Sequence, residues 1–437
     1  MHDYVGWLIG GGIACLLCLW SNLRGLRRRR LLADTPTSKT LGVFIGMTEL
    51  KGTAEAAEPL TSFLAALPNV HYQWKVEESW SRMVTETNTD KDGKSHTRTR
   101  RESGWTTVAD GCESIPFYLQ DDTGVILVRP TGAKLETQSF FSRTVGRGDP
   151  LYYGKGPAHA VANSDSRRRF IEEGILLHAP LYLIGPARER ADIVAPEIAA
   201  NKDAEIFLIS TRGEEKVQAA MGRWAWCWGL LGFLITCAPL IAVLADKAVD
   251  WPDLLRRLVG FPPLVYVLVW GVGWVWMVFN SIVGLRQRVR QGWSLIDVQL
   301  KRRHDLIPRL SAILIGLSAH EKEVQTAVTQ LRTQNQATAP GAAGPDFAGL
   351  AGTLRVVAEK YPAITAQAGF ATLQTELVET EQRIALARAY YNDIATEFAN
   401  RLEIVPDRWV AGLVHMQPEP LFQATDFERA AVKVDFA

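Results

Sequence analysis

The sequence predicts an α+β membrane protein, with a β-rich domain, three transmembrane helices and a C-terminal helical bundle, in a chain of 437 residues. Three observations lead there. Phe261 to Leu285 contains no charged residue, enough for the ~20 apolar residues that a spanning helix needs. Val70, Tyr72, Trp74 and Val76 alternate with polar neighbours, the period of a half-buried strand. From Phe370 to Phe398 apolar and small residues recur at threes and fours, the stripe of a packed helix. Since a domain averages roughly 150 residues, two soluble parts and a membrane part fit the length. They divide as an N-terminal anchor with a basic flank (1–30), a β-rich domain (31–220), a two-helix transmembrane hairpin (221–285) and a helical bundle (286–437).

In the anchor, the apolar run Tyr4 to Trp20 is followed by Arg24 and Arg27 to Arg30. A cleaved leader carries its positive charge before the apolar stretch, so this run reads as an uncleaved anchor with its N-terminus outside. Cys15 and Cys18 form a CxxC, but they lie among leucines with no second ligand pair nearby, which sets aside a zinc or redox site.

In the β-rich domain, further strands are expected at 115–119, 125–129, 180–185 and 205–210. Thr85 to Gly104 has almost no apolar side chain to bury and reads as a solvated hairpin tip. Its DKDG (90–93) lacks the terminal bidentate glutamate of a calcium loop.

Trp224 to Ala245 reads as a second span and Phe261 to Leu285 as a third. Trp224, Trp226, Trp228, Trp251 and Trp276 suit headgroup belts, while Trp270 and Trp274 fall deep enough for helix packing. Arg286, Arg288 and Arg290, then Lys301, Arg302 and Arg303, form a basic collar of the cytoplasmic kind. Three spans give a multi-pass protein of the cell inner membrane, N-terminus outside and C-terminus cytoplasmic.

Beyond the collar, Trp293, Ile296, Leu300, Ile307, Leu310, Leu314, Leu317, Val324, Val328 and Leu331 continue as a bundle or coiled-coil seam. Pro308 lacks an amide hydrogen and should kink or divide that helix near residue 304. NQATAPGAAGP (335–345) is a loop, a second helix carries Phe347 to Tyr361, and a third runs from about Gly369 to Leu402. Trp409, Val410, Leu413, Leu421 and Phe422 offer a tail to cover its seam.

Two resemblances follow from these stretches. GTAEAAEPLTSFLAAL (52–67), YQWKVEE (72–78), PFYLQDDTGVILVRPTGAKLE (116–136), EEGILLHAPLYLIGPA (172–187) and EIFLISTRGEEKV (205–217) resemble the GIDE domain, the membrane-flanked module of Mulan-type ubiquitin ligases. Those ligases act through a separate cysteine-rich RING that this chain lacks. WSLIDVQLKRRHDLIPRL (293–310), AHEKE (319–323), ETEQRIALARAYYND (379–393) and VKVDF (432–436) resemble the LemA family. That resemblance implies a membrane helix leading into a cytoplasmic antiparallel helical bundle.

The chemistry searched for is missing. His320 and Glu321 begin an HExxH whose second histidine is replaced by Val324, and neither GxGxxG after a strand nor GxxxxGK[ST] occurs. Asp297, His304, Asp305, Glu321 and Glu323 face Glu376, Glu379 and Glu381 without the paired Glu-x-x-His of a di-iron bundle, so interhelical salt bridging is expected there. No catalytic, cofactor or metal residue is assigned. The sequence therefore predicts a membrane scaffold or assembly platform without catalysis. Its expected partners are membrane lipids, copies of itself through the spans and unidentified proteins. The formal charge of +1 argues against nucleic acid. An alternative is an envelope-stress regulator or an enzyme sited in the β-rich domain, with His71, His159 and His178 as its titratable groups; their convergence in a pocket would support it.

Overall fold

The computed structural model describes residues 2–89, 95–190, 192, 195–202, 204–245, 261–317 and 368–422. The DKDG tip, the loop 246–260 with Trp251, the motif at His320, the loop 335–345, the helix expected at 347–361 and the VKVDF ending lie outside the described residues, as do Val324, Val328 and Leu331. The chain forms two units, residues 37–217 and residues 1–36 with 218–437.

The first unit is all but wholly β. Its strands are β1 (Thr37–Ser38), β2 (Gly46–Glu55), β3 (Leu60–Thr61), β4 (Pro68–Thr89), β5 (Ser95–Ser114), β6 (Phe117–Gln120), β7 (Val125–Val128), β8 (Lys134–Glu136) and β9 (Gln138–Gly146). A one-turn helix α1 (Pro150–Gly154) precedes β10 (Ser164–Leu176), β11 (Pro180–Glu189), β12 (Pro196–Ile198) and β13 (Leu208–Ser210). Strand β2 pairs with β6, β6 with β7, β7 with β12, β12 with β11, and β11 returns to β2. The ring is closed, leaving no open edge among these five strands. Inward-facing Leu50, Ala54, Phe117, Leu119, Ile126, Val128, Leu183 and Ile198 fill it. The second sheet runs β3-β4-β10-β9 with β5 along the other side of β4. Val76, Val145, Tyr152 and Phe170 form its own smaller core. The stretch from Thr85 outward is a hairpin, as expected, its β4–β5 ladder continuing in register to Thr89 opposite Ser95.

The second unit is helical: α2 (His2–Ala33), α3 (Glu214–Ala245), α4 (Phe261–Leu317), α5 (Ala368–Glu403) and α6 (Asp407–Leu413). Helices α2, α3 and α4 pack through small residues and a few buried polar bonds. The Asn22 amide donates to the Ala225 carbonyl at 2.7 Å and accepts from Trp270 Nε1 at 3.0 Å, and Tyr266 donates to the Gly229 carbonyl at 3.1 Å. A Cβ on Gly232 would stand 2.4 Å from the Tyr266 hydroxyl, and one on Gly273 2.7 Å from Leu23. A side chain at either position would force its neighbour to move.

The expectation of three transmembrane helices is corrected here. Among the described residues, one helical stretch is long and apolar enough to cross a membrane, Phe261–Arg303. Neither α2 nor α3 supplies a second such stretch among the described residues.

Helix α4 continues through Pro308 to Leu317, so the proline does not divide it. It runs antiparallel to α5, with Trp293 against Tyr391 and Arg303 against Glu381. Leu377, Thr380, Ile384, Ala387, Tyr391, Ile394 and Phe398 of α5 are buried, opposite Leu285, Val289, Ile296 and Leu306 of α4.

Candidate functional site

One group of polar side chains that the helical unit buries collects where α2 ends. Arg27 to Arg30 keep the chain helical and basic to Ala33, and Asp34 follows with its side chain almost wholly buried. Arg401, in the last turn of α5, reaches Asp34 Oδ1 through Nε at 2.9 Å and NH2 at 2.5 Å, and Asp407 Oδ2 through NH1 at 3.0 Å. Asp407 begins α6 and takes a fork from Arg30, NH1 to Oδ2 at 2.7 Å and NH2 to Oδ1 at 2.9 Å. Ser281 of α4 donates to Asp34 Oδ2 at 2.8 Å, and Arg288 donates to the Asp34 carbonyl and the Thr35 hydroxyl. Burial works against the charge on Arg401, yet Asp34, Asp407 and Glu397 raise its pKa above the ordinary arginine value. Two carboxylates and two guanidiniums thus alternate, each facing opposite charge, which is the arrangement that lets buried ions persist. This cluster fastens four helices at one level.

About two and a half helical turns further up the arm, an extended strap formed by residues 416–422 folds back over α4 and α5. Asn392 exchanges two hydrogen bonds with the backbone of Phe422, Nδ2 to its carbonyl at 3.1 Å and Oδ1 from its amide at 2.8 Å. Tyr391 donates to the Pro420 carbonyl at 2.7 Å. The Phe422 ring lies 6.0 Å from that of Trp293, with the Arg388 guanidinium 4.5 Å over it. Of the tail residues expected to cover the seam, Val410 and Phe422 turn inward, while Trp409, Leu413 and Leu421 remain exposed.

Among the described residues of the β unit the carboxylates of Glu49, Glu78, Glu172 and Glu197 are buried. Glu78 and Arg168 have fully buried side chains joined by Nε and NH2 bonds of 3.1 and 3.0 Å. Arg168 also donates to the carbonyls of Tyr152, Pro157 and His159, and Tyr152 and Ser164 donate to Glu78. The pair thereby clamps the α1 loop to the sheet. Burial pushes the Glu78 carboxyl up, but the hydrogen bonds from Ser164, Arg168 and Tyr152 outweigh it and hold the pKa below the usual range. Glu49 goes the other way. Its burial outweighs the bonds from Thr37 and Tyr182, each 2.7 Å, and raises its pKa.

The three histidines do not form a site. His71 is buried on β4, with its ring bonded to the Glu113 backbone and Nδ1 unpartnered. His178 sits in the β10–β11 turn at a φ of 62°, exposed, with Nδ1 2.7 Å from Glu55. His159 is exposed in the loop after α1 and contributes only its backbone carbonyl. They share no partner among the described residues. Nor do the described residues gather three or more His, Cys, Asp or Glu side chains as a metal site needs. The Asp34–Arg401–Asp407–Arg30 cluster escaped sequence reasoning. Its only local signal is an aspartate closing a basic run.

The fold and these clusters define an α+β protein whose apolar-faced helical unit carries an antiparallel arm, with its buried ions used to hold helices together. Two family models match parts of the chain. Residues 292–436 match the LemA family, and residues 85–244 match the GIDE family, described as E3 ubiquitin ligase. The C-terminal third is therefore a LemA-family segment. Protein LemA of Metamycoplasma hominis is 26% identical over 158 residues, covering 35% of this chain and 72% of that protein. The LemA match takes in Trp293, Asn392, Arg401, Asp407 and the strap. The GIDE match begins within β4 and runs to the end of α3.

Proposed function

We propose that this chain is an integral scaffold of the cell inner membrane, without catalysis of its own, on which other proteins assemble. The observation that carries the reading is the Asp34–Arg401–Asp407–Arg30 cluster. It uses two buried carboxylates and two largely covered guanidiniums to lock the base of the LemA arm to α2 and α4, a use that favours rigid presentation over chemistry. In this reading helix α4 crosses the bilayer with its apolar half, and the arginines at 286, 288 and 290 support a cytoplasmic arm. Exposed Trp224, Trp226, Leu230, Leu234, Leu268, Val272 and Trp276 give an apolar surface for lipid and for further copies of the chain. A RING needs more cysteine and histidine ligands than the free Cys112 and the helix-embedded Cys15, Cys18, Cys227 and Cys237 provide. This supports a binding role for the GIDE-like segment, not ligase activity.

The test is affinity purification of the full chain from membranes in mild detergent, beside an Arg401→Met variant. The scaffold reading expects specific proteins to copurify with the wild type and to be depleted with the variant. Recovery of the protein with lipid alone, in every detergent tried, refutes it.

A further inference from the structure

Helix α6 is two-faced. Asp407, Val410 and Ala411 are buried against α4 and α5, whereas Trp409 and Leu413, one turn apart on the other side, are 68% and 77% exposed. Ile404 and Val405 before the helix and Val414 after it are also about half exposed or more, at 53%, 55% and 48%. A soluble surface seldom gathers so many large apolar side chains in eleven consecutive positions. Nothing among the described residues covers them.

The height of this face above the membrane follows from the ion cluster. Asp407 is bonded to Arg30, whose guanidinium lies 5.8 Å over the ring of Trp274. Arg401, which holds the other side of Asp407, is bonded to Asp34, and Asp34 to Ser281. Trp274 and Ser281 both belong to the charge-free stretch of α4 that ends at Leu285. At ~1.5 Å rise per residue, Ser281 lies only about 6 Å before the end of that stretch. Helix α6 therefore stands beside the last turns of the span, at the level where a bilayer passes from acyl chain to headgroup. Trp409 is the residue type favoured there, and Arg408, exposed beside it, suits the phosphate layer.

We infer that α6 and its flanks, Ile404 to Val414, form an amphipathic foot that rests in the cytoplasmic headgroup region of the bilayer, with lipid covering Trp409 and Leu413. This rests on the reading of α4 as the span and extends it. The arm's base is thus held by the membrane surface as well as by the Arg401 cluster.

The test uses the full chain in phosphatidylcholine–phosphatidylglycerol vesicles, with Cys112 and Cys227, the two exposed thiols, changed to Ser. An environment-sensitive nitrobenzoxadiazole label is placed by Leu413→Cys, and in a second variant by Trp409→Cys. Val272→Cys, on the exposed side of α4, reports the span and Gln138→Cys, on exposed β9, reports water. Signal from the background without an added cysteine is subtracted. A foot buried ~5–10 Å into the boundary predicts that both α6 labels are quenched about twofold more strongly by a shallow spin-labelled lipid than by a deep one. Labels at 413 and 409 as unquenched as that at 138 overturn the inference. So does a blue-shifted but unquenched pair, since protein then covers the face. In either case quenching at Val272 leaves the span reading standing, and its absence there removes that reading too.

Discussion

Arg401→Met is the sharpest perturbation of the helical unit. It keeps the side-chain length and removes three donors, two to Asp34 and one to Asp407. Asp407 retains both bonds from Arg30, so the loss concentrates on Asp34. That carboxylate is 4% exposed and keeps a single side-chain donor, Ser281. Removing one member of a buried ion pair costs about 3–5 kcal/mol; with Ser281 still in place we expect the lower end, about 3 kcal/mol. Asp34→Asn relieves the stranded charge, so the double variant Asp34→Asn/Arg401→Met should recover part of it, with a coupling of roughly 1.5–3 kcal/mol between the positions. The assay is unfolding of the full protein in mixed micelles of a mild detergent and dodecyl sulfate, followed by loss of helical circular dichroism. A cost for Arg401→Met below about 1 kcal/mol, or additivity of the two changes, refutes the argument that the cluster is a buried, coupled unit.

Four other outcomes are expected. Arg168→Met strands a fully buried Glu78 and should destabilise the β unit by about 3–5 kcal/mol, with Glu78→Gln/Arg168→Met closer to wild type, both read by thermal unfolding of the β signal. Because the folded pKa of Glu78 is lowered, its stabilisation is complete above the unfolded value of 4.5 and is lost as pH falls through the folded one. Glu78→Gln should therefore flatten the acid limb of the stability profile, measured by urea midpoints at successive pH values below 4.5. For Glu49, whose folded pKa is raised from 4.5, the native state holds the proton more tightly, so stability falls as pH rises above 4.5. Glu49→Gln should reduce that slope between pH 4.5 and 7. Asn392→Ala deletes two strap bonds, worth about 1 kcal/mol each, and should speed amide exchange at Phe422 roughly tenfold or more, by mass spectrometry.

What the sequence by itself determined is periodic and local. The charge-free stretch to Leu285 marks the one helical stretch, among the described residues, that is long and apolar enough to cross a membrane, because a spanning helix needs only ~20 consecutive apolar residues. The seam from Leu377 to Phe398 and the alternation from Val70 to Val76 mark buried faces because side chains repeat at 3.6 and 2 residues. The strands at 117–120, 125–128, 180–189 and 208–210 lie where apolar β-branched runs and turn residues put them. The same local rule gave three spans, where among the described residues one helical stretch is long and apolar enough to cross a membrane. Tertiary structure alone decided the rest. Closure of the barrel depends on β2 meeting β11, and each strand taken singly is compatible with an open sheet. The clusters join residues far apart in the chain, 367 positions for Asp34 and Arg401 and 90 for Glu78 and Arg168. A charged residue reads the same in sequence whether water or a buried counter-ion faces it. Only the folded chain fixes which, because desolvation and pairing energies depend on distance in space and not on spacing along the backbone.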